Sequence, residues 1–107
     1  MGLLDRLLGR EDINTGVARY RETDGAYLID VRTSVEYEAG HIPGSINIPL
    51  SDIHYIVEKL PYISAPLFVY CQAGTRSAQA CSMIREMGYK SVTNIGGMNG
   101  YKGELER

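Results

Sequence analysis

Apolar runs and amphipathic stretches alternate along the chain. Ala26-Tyr-Leu-Ile-Asp-Val31 is a short apolar run, which predicts a buried strand. Ser34 to Ala39 predicts a short helix, with Thr33 as N-cap, Glu36 three residues on and Gly40 as stop. Ser45 to Ile48 predicts a second strand, ended by Pro49. Ser51 can cap a helix carrying Ile53, Ile56, Val57 and Leu60 on one face and stopped before Pro61. Leu67-Phe-Val-Tyr-Cys71 is the strongest strand signal. A helix ending near Met87 and closed by Gly88 follows it, with Ala78, Cys81, Ile84 and Met87 as its inner face. Ser91 to Ile95 predicts a last strand, and Gly96-Gly97 is expected to break the chain after it.

Alternating strands and helices of this size predict an α/β fold, a parallel sheet covered by helices on both faces. In such sheets ligands sit beyond the carboxyl ends of the strands. Cys71, last residue of a central strand and just before a helix, is therefore expected at the active edge.

Length and composition narrow the function. The 107 residues, 44% of them hydrophobic, suit one domain that buries a core without disulfide or metal support. Two cysteines are too few for a secreted disulfide scaffold, so Cys71 and Cys81 are expected as free thiols in a reducing, cytoplasmic compartment. The net charge is -2 and the 11 Lys and Arg are scattered, which gives no nucleic-acid face. Residues 1–11 hold four leucines broken by Asp5 and Arg6, too short an apolar run for a membrane span. They are expected to form a short amphipathic helix or tail ahead of a domain over residues 12–107.

The segment Cys71-Gln72-Ala73-Gly74-Thr75-Arg76-Ser77 joins strand to helix. If it curls, its amides point into one pocket and cradle an anion, and the helix behind adds positive potential. A thiolate there is stabilised, and its nucleophilicity at neutral pH rises. Gly74 lets the backbone turn with positive φ. Arg76 can brace the loop against a carboxylate or meet an anionic substrate. His41, in the turn-like Gly-His-Ile-Pro-Gly, fits an ordering hydrogen bond better than catalysis. Cys81, on the apolar side of the following helix, fits an inert buried thiol.

A second constellation adds to this one. Leu28-Ile29-Asp30-Val31-Arg32, Glu36-Tyr37 and Gly40-His41-Ile42-Pro43-Gly44-Ser45-Ile46-Asn47-Ile48-Pro49 come in that order. Val69-Tyr70-Cys71 with Gly74 and Arg76-Ser77 follows, then Gly88-Tyr89 and Ile95-Gly96-Gly97-Met98. Together these resemble the rhodanese family over roughly Asp12 to Glu106. The resemblance implies a five-stranded parallel sheet and a cysteine, here Cys71, that becomes a persulfide during turnover, with no metal or organic cofactor. It implies a sulfurtransferase of the thiosulfate sulfurtransferase class, moving sulfane sulfur from thiosulfate, polysulfide or persulfide to a thiophilic acceptor such as a protein thiol. Gln72 to Ser77 would bind the substrate. Asp30 and Arg32 end the first strand and so lie near the same sheet edge; with Glu36 they either order the pocket or only fix strand and loop through a salt bridge, with Glu36 or Asp30 pairing with Arg76.

Two departures stand out. Tyr101 is the nearest aromatic where the family often has Trp after the Gly-Gly pair, and Gln72 and Ala73 are neutral where thiosulfate-using relatives often carry basic residues. Phosphatase or arsenate reductase chemistry on the same fold would want a longer loop than the four residues between Cys71 and Arg76. A non-catalytic rhodanese-like binding module is the other alternative, and Cys71 argues against it.

Overall fold

The computed structural model describes residues 12–107. The expected N-terminal helix or tail at residues 1–11 lies outside the described residues. Helix α1 (Ile13–Glu22) opens the chain, with the Asp12 carboxylate accepting from the Thr15 amide. Strand β1 (Tyr27–Asp30) leads to helix α2 (Ser34–Ala39). Thr33 and Glu36 close the expected capping box there, each side chain accepting from the other's backbone amide. Strand β2 (Ser45–Asn47) is followed by a 3-10 turn (Leu50–Tyr55), a single helical turn α3 (Ile56–Lys59) and strand β3 (Leu67–Cys71). Helix α4 (Thr75–Glu86), strand β4 (Val92–Gly97) and a 3-10 turn (Met98–Gly100) complete the order.

The sheet is parallel, in the order β2-β1-β3-β4. Strand alternation divides the core in two. Ile29, Val31, Leu67, Val69 and Cys71 pack with Ile53, Ile56, Leu60, Ala80, Cys81 and Ile84. Leu28, Phe68, Tyr70 and Ile95 pack with Ile13 and Val17 of α1, Ile42 and Met98. The expected α/β sheet with helices on both faces is therefore present.

Several expectations need correction. The four strands are the four runs read from the sequence; the family resemblance implied five, and among the described residues no segment supplies a fifth. The predicted helix from Ser51 is a 3-10 turn and a single α turn, kinked at Asp52. Val57 faces solvent rather than the core. On α4 the inner face is Ser77, Ala80, Cys81 and Ile84; Ala78 is exposed and Met87 half-buried.

β4 does not stop at Ile95. It runs on through Gly96 and Gly97, because a bulge offsets the register. Val69 faces Asn94, while Tyr70 faces Gly96 and Cys71 faces Gly97. The extra residue, Ile95, is turned into the α1 side of the core. The Gly-Gly pair thereby lies beside Cys71 instead of ending the strand short of it.

Candidate active site

Cys71 sits at the carboxyl end of β3, in a sheet interior strand, and its side chain is almost fully buried on the α4 face. The loop curls back over it as the sequence predicts. Gly74 takes φ 100°, a left-handed conformation that glycine adopts without steric penalty, and this starts α4. Two amides then converge on the sulfur: Gly74 N–H donates to Cys71 Sγ at 2.9 Å and Ser77 N–H at 3.3 Å. The Ser77 hydroxyl lies 3.4 Å from the same sulfur. Backbone donors aimed at one atom, with the start of a helix behind them, stabilise negative charge there.

The loop is held from three sides. From below, β4 approaches so closely that a Cβ on Gly97 would stand 2.4 Å from Gln72 O and 2.7 Å from Ala73 Cα. Only glycine lets strand and loop meet there. From the side, Glu36 at the start of α2 grips Arg76 with both oxygens, at 2.7 and 3.0 Å. This bidentate pair joins residues 40 apart in sequence. Arg76 holds the Glu36 carboxyl at about 2, well below its ordinary value of 4.5. The depressed value means the pair contributes fully above pH 4.5 and is lost only as pH falls toward 2, so the brace is intact at neutral pH.

The third hold runs through a buried pair. Asp30, at the end of β1, accepts from Arg32 Nε at 3.0 Å and NH2 at 2.7 Å, and also from the Arg32 backbone amide at 2.9 Å. Arg32 NH2 further donates to Gly40 O at 2.8 Å, and NH1 to the Gln72 side-chain oxygen at 3.2 Å. Gln72 passes the hold on, donating through Nε2 to the Asn99 side chain, while the Asn99 amide donates to Gln72 O. Asp30 is thus committed to Arg32. Of the two carboxylates considered for Arg76, Glu36 takes the part and Asp30 does not, because Asp30 is saturated by its neighbour two residues on.

Thr75 and Ala73 are exposed on the loop surface. His41 has the ordering role expected of it: Nδ1 lies 2.8 Å from Tyr37 O and the ring stacks on Tyr37 at 3.7 Å. Cys81 lies in the core on the α4 side of the sheet, where burial pushes its thiol up to about 12. It remains protonated at neutral pH. Among the described residues no group of three or more His, Cys, Asp or Glu is placed to hold a metal ion, and no helix is long and apolar enough to cross a membrane.

Three residues that matter to this geometry escaped the sequence reading: Asn94, whose side-chain oxygen lies 2.8 Å from Ser77 Oγ, Asn99, and Gly97 as a contact surface. Asn94 carried a usable signal, since asparagine is depleted in strands and this one interrupts an apolar run. Asn99 carried none.

The site can be set beside known proteins. The family description "Rhodanese-like domain" matches residues 14–104, in agreement with the resemblance read from the motifs. The thiosulfate sulfurtransferase PspE of Escherichia coli is 42% identical over 73 residues, covering 67% of this chain and 70% of that protein. The human thiosulfate:glutathione sulfurtransferase is 35% identical over 95 residues, covering 77% of this chain and 81% of that one. A solved structure described as a rhodanese with anions from E. coli superposes with a TM-score of 0.71 at 36% identity, covering 77% of this chain and 98% of that chain.

Proposed function

Because the chain belongs to the rhodanese-like domain family, we propose that it moves sulfane sulfur through a persulfide on Cys71. It is a rhodanese-type sulfurtransferase. The observation that carries the assignment of Cys71 is the pair of amides, Gly74 N–H and Ser77 N–H, both aimed at its sulfur. In the first half-reaction the Cys71 thiolate attacks the outer sulfur of the donor. The new S–S bond forms as the donor's own bond to that sulfur breaks, and sulfite or a thiolate leaves with the electron pair. In the second, the acceptor attacks the outer sulfur and Cys71 departs as thiolate. Both steps begin or end with charge on Cys71 Sγ, and fixed backbone donors stabilise such charge without rearrangement. Arg76, held by Glu36, acts as a brace for the loop. Two free thiols suit a reducing compartment, and we place the enzyme in the cytoplasm. Its partners are a small sulfur donor and a thiophilic acceptor such as a protein thiol.

The test is the mass of the intact protein after loading with a sulfur donor and removal of the excess. Cys71 is expected to gain one sulfur atom, and cyanide to strip it and release thiocyanate. Transfer without any sulfur on Cys71 would overturn the mechanism.

Donor choice follows from charge. The two relatives described above are named for thiosulfate, a dianion. Here both arginines beside the loop are neutralised, Arg76 by Glu36 and Arg32 by Asp30, and Ala73 at the exposed loop surface is uncharged. The expected result is a high KM for thiosulfate and better use of polysulfide or thiol-bound sulfur. Ala73→Lys is expected to raise kcat/KM for thiosulfate by about tenfold, corresponding to ~1.4 kcal/mol of transition-state stabilisation. Added salt should erode the gain, because the site of the new charge is exposed. A low KM in the wild type, unchanged by the lysine, refutes this account of the donor.

A further inference from the structure

Asn94 is buried in β4, opposite Val69 in the sheet register, and has no part in the chemistry described so far. Its side-chain oxygen has two neighbours. One is the Gly96 backbone amide at 2.9 Å, across the bulge. A backbone N–H can only donate, so the atom of Asn94 that faces it is the oxygen, and the orientation of the side-chain amide is fixed. The other neighbour is Ser77 Oγ at 2.8 Å. An oxygen this close to the carbonyl-type oxygen of Asn94 has to supply the proton. Of the two carbonyl-type oxygens in reach of the Ser77 hydroxyl, Asn94 Oδ1 at 2.8 Å is nearer than Gly74 O at 3.0 Å, and the single hydrogen is assigned to Asn94.

That assignment bears on Cys71. Ser77 is fully buried, and its hydroxyl has two other acceptors in reach: Gly74 O at 3.0 Å, which already takes the Ala78 amide, and Cys71 Sγ at 3.4 Å. With its hydrogen on Asn94, the Ser77 oxygen turns a lone pair to the sulfur and accepts the thiol S–H. When Cys71 loses its proton to water, the sulfur becomes an acceptor only, and the hydroxyl can rotate to donate to it beside the Gly74 and Ser77 amides. That rotation breaks the bond to Asn94.

We infer that Asn94 is a positioning residue that governs, through the Ser77 hydroxyl, how readily Cys71 gives up its thiol proton. Asn94 and the thiolate compete for one hydrogen. The bond to Asn94 exists in the thiol state and is lost in the thiolate state, so Asn94 favours the thiol. Ser77 supplies an extra donor to the thiolate, so Ser77 favours the thiolate. The two residues touch each other, yet their removal acts in opposite directions. This proposal rests on the reading of Cys71 as nucleophile, but its test reads the thiol directly and needs no sulfur transfer.

The experiment is the rate of Cys71 alkylation by iodoacetamide as a function of pH, on the full chain, with the labelled residue confirmed by peptide mass. The other charged and titratable groups around Cys71 are Arg76 and Cys81 on α4, Glu36 on α2 through Arg76, and the Asp30–Arg32 pair after β1. All stay unchanged in the variants. Asn94→Ala is expected to move the profile to lower pH by about half a unit, roughly threefold faster labelling on the acid limb. Ser77→Ala should move it to higher pH, and the double variant should match Ser77→Ala alone.

Asn94→Asp keeps an oxygen in place for Gly96 N–H, so it guards against loss of fold in the alanine variant. As a stronger acceptor it should move the profile to higher pH, by less when Ser77 is also alanine. A purely structural role predicts otherwise. Shifts of Asn94→Ala and Ser77→Ala in the same direction, or an Asn94→Asp shift unaltered by loss of Ser77, would overturn the proposal.

Discussion

Cys71→Ser is expected to abolish sulfur transfer to cyanide, a fall of roughly a thousandfold or more, while the fold holds. Serine is close in size to cysteine, and its oxygen can accept from Gly74 N–H and Ser77 N–H as the sulfur does. The packing of β3 against α4 is therefore kept. What disappears is the soft nucleophile: a hydroxyl is not ionised at neutral pH and does not form a transferable persulfide. The companion variant Cys81→Ser should keep a rate near wild type, because Cys81 is buried, and burial holds its thiol at about 12. Measured together, rate, melting temperature and sulfur loading separate a lost nucleophile from a lost fold. A Cys71→Ser protein that still turns over at the wild-type rate would end the assignment.

The contrast between the two cysteines was legible in the sequence because it depends on local order. A strand, a glycine and a helix start adjoin Cys71, whereas Cys81 falls inside a helical pattern. The loop and the capping box at Thr33 and Glu36 are local in the same sense, and both came out where expected. What the sequence left open depends on register between distant segments. Glu36 and Asp30 both end up near the loop, and charge alone does not say which meets Arg76. The answer lies in Arg32, which saturates Asp30 from two residues away. The Gly96-Gly97 pair reads as a chain break in the linear pattern, and in the structure it is a close approach instead. The bulge at Asn94–Gly96 makes the difference, and a bulge is set by side-chain and sheet contacts that a linear pattern does not carry. The apolar positions from Ile53 to Leu60 fit a continuous helix, yet the chain is a 3-10 turn through Tyr55 and a single α turn after it, with Val57 facing solvent.

The second large effect is expected at Asp30. The sequence offered two roles for it, tuning of the pocket or fixing of strand and loop. The geometry favours the second: the carboxylate makes no hydrogen bond to the Cys71 loop, and its hydrogen bonds reach the loop through Arg32 and Gln72. Asp30 is fully buried and Arg32 nearly so. Removing the carboxylate by Asp30→Ala leaves a guanidinium in the interior with its charge uncompensated, which costs about 3–5 kcal/mol. For a domain of this size that lowers Tm by on the order of 15 °C. Asp30→Asn retains one oxygen for Arg32 and should fall between wild type and alanine. In both, the pH dependence of the rate at a temperature where the protein is folded should stay where it is in the wild type. A displaced profile with an unchanged Tm would restore the tuning role. The pair can also be removed as a unit. Asp30→Leu with Arg32→Met strands no charge, so the double variant should be more stable than Asp30→Ala. It should nonetheless transfer sulfur more slowly than wild type, since Gly40 O and the Gln72 side chain then lose the donors that hold them. Stability recovered without the rate would place the value of Arg32 in the geometry it imposes on the loop.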